Sequence, residues 1–149
     1  MLCCGENQES RRKGGAPILH TPKGGRPLGA ISMAWVIGPL CTDRMDTACV
    51  DVCPVDCIHL YTGDDPNIPT NQLLIDPEVC IDCAVCEPEC PWEAIYQDAE
   101  VPEEFQQSIE INARIAAQEE IETPHTSKPQ PTAEEVDENR RAWLAKFRQ

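Results

Sequence analysis

The residues of this chain best equipped for chemistry are its cysteines. Eight of the ten fall between positions 41 and 90, in two groups. The first group is Cys41-x7-Cys49-x3-Cys53-Pro54-x2-Cys57, and the second is Cys80-x2-Cys83-x2-Cys86-x3-Cys90-Pro91. Two-residue gaps let three successive thiolates turn inward from one tight loop onto three corners of an iron–sulfur cubane. A cysteine three residues further on points elsewhere, toward a second cluster. A structural zinc site uses two Cys-x2-Cys pairs set further apart, and three cysteines at two-residue gaps overfill one such knuckle. A disulfide framework would need an oxidising compartment and a signal peptide. Free buried cysteines account for one or two such residues but not for eight at these spacings. The pattern therefore favours iron–sulfur ligation.

The two groups are related by an internal repeat. Cys53-Pro54-Val55-Asp56-Cys57-Ile58 aligns with Cys90-Pro91-Trp92-Glu93-Ala94-Ile95 at an offset of 37 residues, and Cys49 aligns with Cys86 at the same offset. The second half has three cysteines before its Cys-Pro; the first has only Cys41 and Cys49. Counting forward by three from Cys41 gives Arg44, and counting back by three from Cys49 gives Asp46, so the central thiol is missing. A cubane short of one good ligand tends to lose that iron. Cys41, Cys49 and Cys90 then form a three-thiolate set suited to [3Fe–4S]. Cys80, Cys83 and Cys86, with Cys53 crossing over, form a four-thiolate set suited to [4Fe–4S], and Cys57 is left over. The alternative is a fourth iron completed by Asp46, Asp43 or Cys57. The carboxylates are the weaker choice, because hard oxygen suits these irons less well than thiolate.

At these residues the chain resembles the seven-iron bacterial ferredoxins, which carry one [3Fe–4S] and one [4Fe–4S] cluster. The resemblance runs from about Met33 to about Glu122. It includes Ala34-Trp35-Val36-Ile37, Ala48 through Ile58, Ile75 through Cys83, Glu87 through Pro91, and Val101-Pro102-Glu103-Glu104. It implies an α+β, two-cluster bacterial ferredoxin-like fold with a pseudo-two-fold internal repeat, followed here by a C-terminal helical extension. It also implies that Cys41, Cys49 and Cys90 hold [3Fe–4S], that Cys53, Cys80, Cys83 and Cys86 hold [4Fe–4S], and that Cys57 lies near the four-iron cluster without ligating it. The function implied is that of a soluble, low-potential electron carrier, not an enzyme, passing single electrons between redox enzymes. The chain departs from the shorter family members in its longer Leu60–Leu73 stretch, and its first 32 and last 27 residues lie outside the firm match.

The elements that must position the cysteines are short. Ala34–Ile37 and Ala94–Gln97 read as paired strands, and Ile58–Tyr61 with Gln72–Ile75 as a second hairpin. Short helices are expected over about Asp46–Val52 and Ala84–Glu89, ended by Pro54 and Pro91. Val50, Val52, Val55, Ile58, Ile75, Ile81, Val85 and Ile95 are expected to wrap the clusters. Pro102-Glu103-Glu104 opens a further helix. In it Phe105, Ile109, Ala113 and Ala116 recur at helical spacing through about Ile121. After a Pro-rich linker (Thr123–Pro131), Thr132 and Glu135 make a capping box. The helix they open carries an apolar face of Val136, Trp143, Leu144 and Phe147, expected to pack on the body. The domains expected are a basic, disordered extension over 1–32 (with Met33 a possible true start), a two-cluster domain over 33–100, and the extension over 101–149.

Charge and composition narrow the function. The 149 residues carry a formal net charge of −14. Residues 1–40 contribute +3 and residues 41–149 contribute −17. Seven aromatics among ten cysteines leave too little apolar bulk for a large core, so the cysteines must help hold the fold. No apolar run reaches the roughly 20 residues of a membrane span, and an acidic chain with few aromatics excludes a nucleic-acid binder. No nucleophile–base set or nucleotide-binding glycine loop occurs. His20, His59 and His125 are scattered, and Cys3-Cys4 read as incidental thiols. The acidic body is expected to steer a cytoplasmic monomer toward redox enzymes with basic docking patches: a reductase, an oxygenase or another oxidoreductase. The rival readings are a fixed electron-wire subunit of a larger complex and an iron or oxygen sensor.

Overall fold

The computed structural model describes residues 34–126 and 128–147. The features expected over residues 1–32, Cys3, Cys4 and His20 among them, lie outside the described residues. The architecture is mixed, with two small antiparallel sheets and three helices. Strand β1 (Trp35–Ile37) pairs with β4 (Ile95–Gln97), Val36 standing opposite Tyr96. Strand β2 (Ile58–Tyr61) pairs with β3 (Leu73–Ile75), Ile58 opposite Ile75, and its other edge takes up β5 (Ile121–Glu122). The apolar, β-branched runs thus fall where strand propensity places them. Helix α1 (Ala48–Val52) is a single turn inside the expected Asp46–Val52 segment.

Two expected helices differ. Ala84–Glu89 is not a helix: Ala84 sits at φ 61°, a left-handed conformation that cannot propagate a right-handed helix, and Pro88 removes a donor. Only a turn near Glu87–Glu89 remains. The helix expected from Pro102 to Ile121 begins with a 3-10 turn (Glu103–Phe105), continues as α2 (Gln107–Ile115) and stops there. Ile121 leaves the helix to pair with Tyr61 at the sheet edge. The buried face of this segment is Phe105, Ser108, Asn112 and Ile115, whereas Ala113 is exposed and Ile109 only half-buried.

The main core gathers Val36, Ile37, Leu40, Val50, Ile58, Leu73, Ile75, Ile95 and Phe105 around the buried cysteines. Of the residues expected to line it, Val50, Ile58, Ile75 and Ile95 are buried and Val55 is half-buried. Val52, Ile81 and Val85 are instead exposed, at 37%, 58% and 41%. Ile81 and Val85 lie on a loop curled through left-handed Asp82 and Ala84 at the surface, which leaves their side chains in solvent. Tyr61, Ile68, Leu74 and Ile115 form a second, smaller core beneath the long 61–72 connection, where the Tyr61 hydroxyl accepts the Asp65 N–H at 2.9 Å.

The polar centre of the fold is Asn112. Its side-chain oxygen accepts the Ile37 N–H at 3.1 Å and the Ile75 N–H at 2.7 Å, and its amide donates to the Ile37 carbonyl at 2.9 Å and the Ser108 carbonyl at 2.8 Å. One amide, 1% exposed, thereby joins a strand of each sheet to α2 and satisfies backbone groups that the two separate ladders leave unpaired. Helix α3 (Ala133–Phe147) opens with the expected capping box: Glu135 N–H donates to Thr132 Oγ1 at 3.3 Å, and Thr132 N–H donates back to Glu135 Oε2 at 2.7 Å. It packs on the body. Asn139 donates to the Leu40 carbonyl at 2.9 Å, Trp143 and Leu144 lie against the main core, and Phe147 stands edge-on to Phe105 at 5.7 Å. Replacing Asn112 with Ala strands two buried N–H donors and is expected to cost about 3 kcal/mol, read as a lower urea midpoint of tryptophan fluorescence. Asn139→Ala should cost clearly less.

Candidate functional site

The cysteine loops are built on backbone that L-residues seldom adopt. Among the described residues six non-glycine residues have positive φ: Asp43, Met45, Asp56, Asp82, Ala84 and Glu93. All six lie within or directly after the cysteine groups. Each left-handed residue costs on the order of 1–2 kcal/mol, and clustering of such strain marks a site whose geometry is imposed. Tight reversals of this kind let closely spaced cysteines share one small volume.

The thiols fall into two neighbourhoods. Cys49 is surrounded by the thiols of Cys41, Cys90 and Cys86, each of which disfavours its ionisation. Cys86 feels Cys80, Cys83 and Cys53, and Cys57 feels Cys53 and Cys80. Cys41, Cys49 and Cys90 therefore lie together, and so do Cys53, Cys57, Cys80, Cys83 and Cys86, with Cys49 and Cys86 at the seam. Cys90 has crossed to the cysteines of the first group and Cys53 to those of the second. All eight are free thiols, and the Cys53 and Cys57 sulfurs stand 3.5 Å apart.

Two backbone donors point at sulfur in the same way. Cys57 N–H donates to Cys53 Sγ at 3.4 Å, and Ala94 N–H donates to Cys90 Sγ at 3.4 Å. The two contacts are 37 residues apart, as are the left-handed pairs Asp56 and Glu93, and Met45 and Asp82. These donors were not singled out from the sequence, although the repeated Cys-Pro blocks carry the signal. Hydrogen bonds to ligand sulfurs stabilise added negative charge and so influence reduction potential.

The two carboxylates considered for the missing ligand separate clearly. Asp43 is exposed, and its Oδ1 accepts from Asn71 Nδ2 at 2.7 Å. Asp46 is 7% exposed and close enough to Cys90 to disfavour its thiolate. Its Oδ1 accepts the Ala48 N–H at 3.0 Å. The two described histidines bond elsewhere: His59 Nδ1 is 3.1 Å from Thr123 Oγ1, and His125 Nδ1 is 2.7 Å from Asp51 Oδ1.

Burial dominates the electrostatics. It pushes the Cys41 and Cys86 thiols up to about 12 and raises those of Cys49, Cys57 and Cys90. Thiolates at these positions need a compensating positive charge. Among the described residues no three His, Cys, Asp or Glu side chains converge on one point as a single metal ion requires. A multi-iron cluster has no such requirement, since its ligands bind different irons. Two groups of soft donors, served by N–H groups aimed at sulfur, fit iron–sulfur clusters.

These features define an iron–sulfur protein with two cluster sites, and comparison with known proteins agrees. Residues 40–94 match the family model of the 4Fe-4S dicluster domain. The chain is 50% identical over 94 residues to ferredoxin Fdx8 of Sorangium cellulosum (strain So ce56), covering 56% of this chain and 88% of that protein. It is 50% identical over 80 residues to the protein named ferredoxin 7Fe of Hydrogenibacillus schlegelii, covering 54% and 92%. To a ferredoxin of Alicyclobacillus acidocaldarius subsp. acidocaldarius it is 47% identical over 78 residues, covering 52% and 90%. The chain belongs to the bacterial ferredoxins, iron–sulfur electron carriers rather than enzymes. Among the described residues no helix is long and apolar enough to cross a membrane.

Burial raises the affinity of these sulfurs for protons, so acid competes with iron at any of them that ligates a cluster. Loss of visible cluster absorbance in the presence of a chelator is expected to be several-fold faster at about pH 5 than at about pH 8. A rate independent of pH would mean that thiol protonation does not limit release.

Proposed function

We propose that this ferredoxin is a soluble cytoplasmic carrier of the seven-iron type. In this reading Cys41, Cys49 and Cys90 hold [3Fe–4S], and Cys53, Cys80, Cys83 and Cys86 hold [4Fe–4S]. The observation that carries the proposal is the residue at the missing position. Asp46 stands 37 residues before Cys83 and is buried beside Cys90, so a carboxylate occupies the place where the repeat calls for a thiol. The match to the protein named ferredoxin 7Fe supports the same composition. The crossing of Cys53 and Cys90, the paired N–H···S contacts and the paired left-handed residues support a pseudo-two-fold relation between the halves.

When bound, each cluster exchanges one electron at a time. The chain's own contribution is positioning and environment. Its loops fix the sulfurs, the N–H groups of Cys57 and Ala94 offset charge on Cys53 and Cys90, and the aliphatic core excludes water. Cys57 stays a thiol beside Cys53. The reducing cytoplasm keeps all these cysteines available, and the acidic body favours partners with basic docking patches.

A second reading rests on the same residue. One Asp46 oxygen accepts the Ala48 N–H, and the other would complete a four-iron site under reducing, iron-rich conditions. Electron paramagnetic resonance with iron counting separates the two. The seven-iron reading expects an oxidised-state three-iron signal and about seven irons per chain. Eight irons with no such signal favour the carboxylate-completed site. Asp46→Cys is expected to abolish the three-iron signal and raise the iron count by one, and failure of that conversion would argue against position 46 as the missing ligand.

A further inference from the structure

The C-terminal segment is distributed unevenly over the two cysteine neighbourhoods. Starting at β5, it crosses α1 and the 41–47 loop. Thr126 N–H donates to Thr47 Oγ1 at 2.7 Å, Thr47 Oγ1 donates to the Thr126 carbonyl at 2.8 Å, and Lys128 donates to the Arg44 carbonyl. It then seats α3 through Asn139 on Leu40, next to Cys41, and through an ion pair of Arg140 with Glu93, just beyond Cys90. Arg44 meanwhile lies over the Trp92 ring at 4.5 Å. The segment also touches Asp51 through His125 and His59 through Thr123, but its later anchors and three cations, Arg44, Lys128 and Arg140, gather on the Cys41, Cys49 and Cys90 side.

The opposite side differs in both respects. The loop through Cys80, Cys83 and Cys86 carries exposed Val79 (43%), Ile81 and Val85, and Cys83 itself is exposed. Val52 extends this apolar surface at the end of α1, beside Cys53. Exposed carboxylates lie on the same segments, Asp56 after Cys53 and Glu78 and Glu89 flanking the loop. The sequence has no Lys or Arg between Arg44 and Arg114, against sixteen Asp and Glu. An apolar patch accompanied by charge of one sign is the make-up of a transient docking surface.

We propose that electrons enter and leave through the Cys80–Cys86 loop, docked against a redox protein that presents an apolar patch ringed by Lys and Arg, while the C-terminal segment occupies much of the Cys41–Cys90 side. The inference deepens the carrier reading and rests on it. The charge pattern commits the occupant: a second copy of this chain would bring acid against acid, and like charges suppress such a pairing. Each productive encounter moves one electron, oxidising the cluster once and reducing a ferric haem iron once when the partner is a cytochrome, with no bond made or broken.

The test uses the full cluster-loaded chain and cytochrome c, a basic haem protein. Val79→Lys places one positive charge in the proposed patch, and Ala142→Lys places the same charge on the exposed face of α3. Both must keep the wild-type visible and paramagnetic spectra. Two quantities are read at low salt: calorimetric affinity of the oxidised forms, where no electron moves, and the second-order rate of cytochrome c reduction. Val79→Lys is expected to lower both at least fivefold, and Ala142→Lys less than twofold. Equal losses in the two variants, or a larger loss in Ala142→Lys, overturn the port while wild-type transfer upholds the carrier. If the cluster-loaded wild type passes no electrons, the carrier reading falls and the port falls with it.

Discussion

Cys41, Cys49, Cys86 and Cys90 sit where burial opposes a negative charge, yet the ligand roles proposed for them require thiolates. That conflict shapes the molecule. Iron supplies the missing positive charge, so metal binding and folding are two descriptions of one equilibrium. The strained residues at 43, 45, 56, 82, 84 and 93 belong to the same balance. They hold short loops in conformations the backbone alone would leave, and the ligated sulfurs over-determine them. With Tyr61 and Phe105 as the large aromatics fully inside, the apolar core by itself offers modest support.

What the core lacks in bulk is partly replaced by polar fastening. Asn112 and Gln72 converge on Ile37: Gln72 Nε2 donates to the Ile37 carbonyl at 3.1 Å, and Thr42 Oγ1 donates to Gln72 Oε1 at 3.0 Å. Buried and satisfied, such groups specify one arrangement of the two sheets, which apolar contacts alone define loosely. The sheets in turn fix where Pro39–Cys41 and Cys90–Ala94 begin, and hence where the sulfurs of Cys41 and Cys90 lie.

The cysteines were readable from sequence because ligand spacing is a local property, set by how far one tight loop can reach. The strand segments were readable because Trp35–Ile37, Ile58–Tyr61, Leu73–Ile75 and Ile95–Gln97 are dense in apolar and β-branched residues. Asn112 was not, because its partners lie 37 and 75 residues away and an asparagine in a helix carries no local sign of them. The expected stripe broke at Ala113 for the same reason: hydrophobicity favoured that position, but unpaired strand N–H groups drew Asn112 inward, while Ile109 still packs against the main core. The curl at Asp82 and Ala84 escaped because neither residue announces a left-handed turn as glycine would. The exposure of Ile81 and Val85 follows from that curl.

The contact between Asn139 and the Leu40 carbonyl spans 99 residues of chain. Contacts of such separation contribute little until the intervening chain is already ordered, so α3 seats late. On a growing chain every clustered cysteine emerges before residue 132 does. The side of the body holding Cys41, Cys49 and Cys90 therefore receives α3 only at the end of synthesis. The C-terminal segment is thus the last part of the chain able to reach that side, and its anchors there bind backbone already set by the sheets.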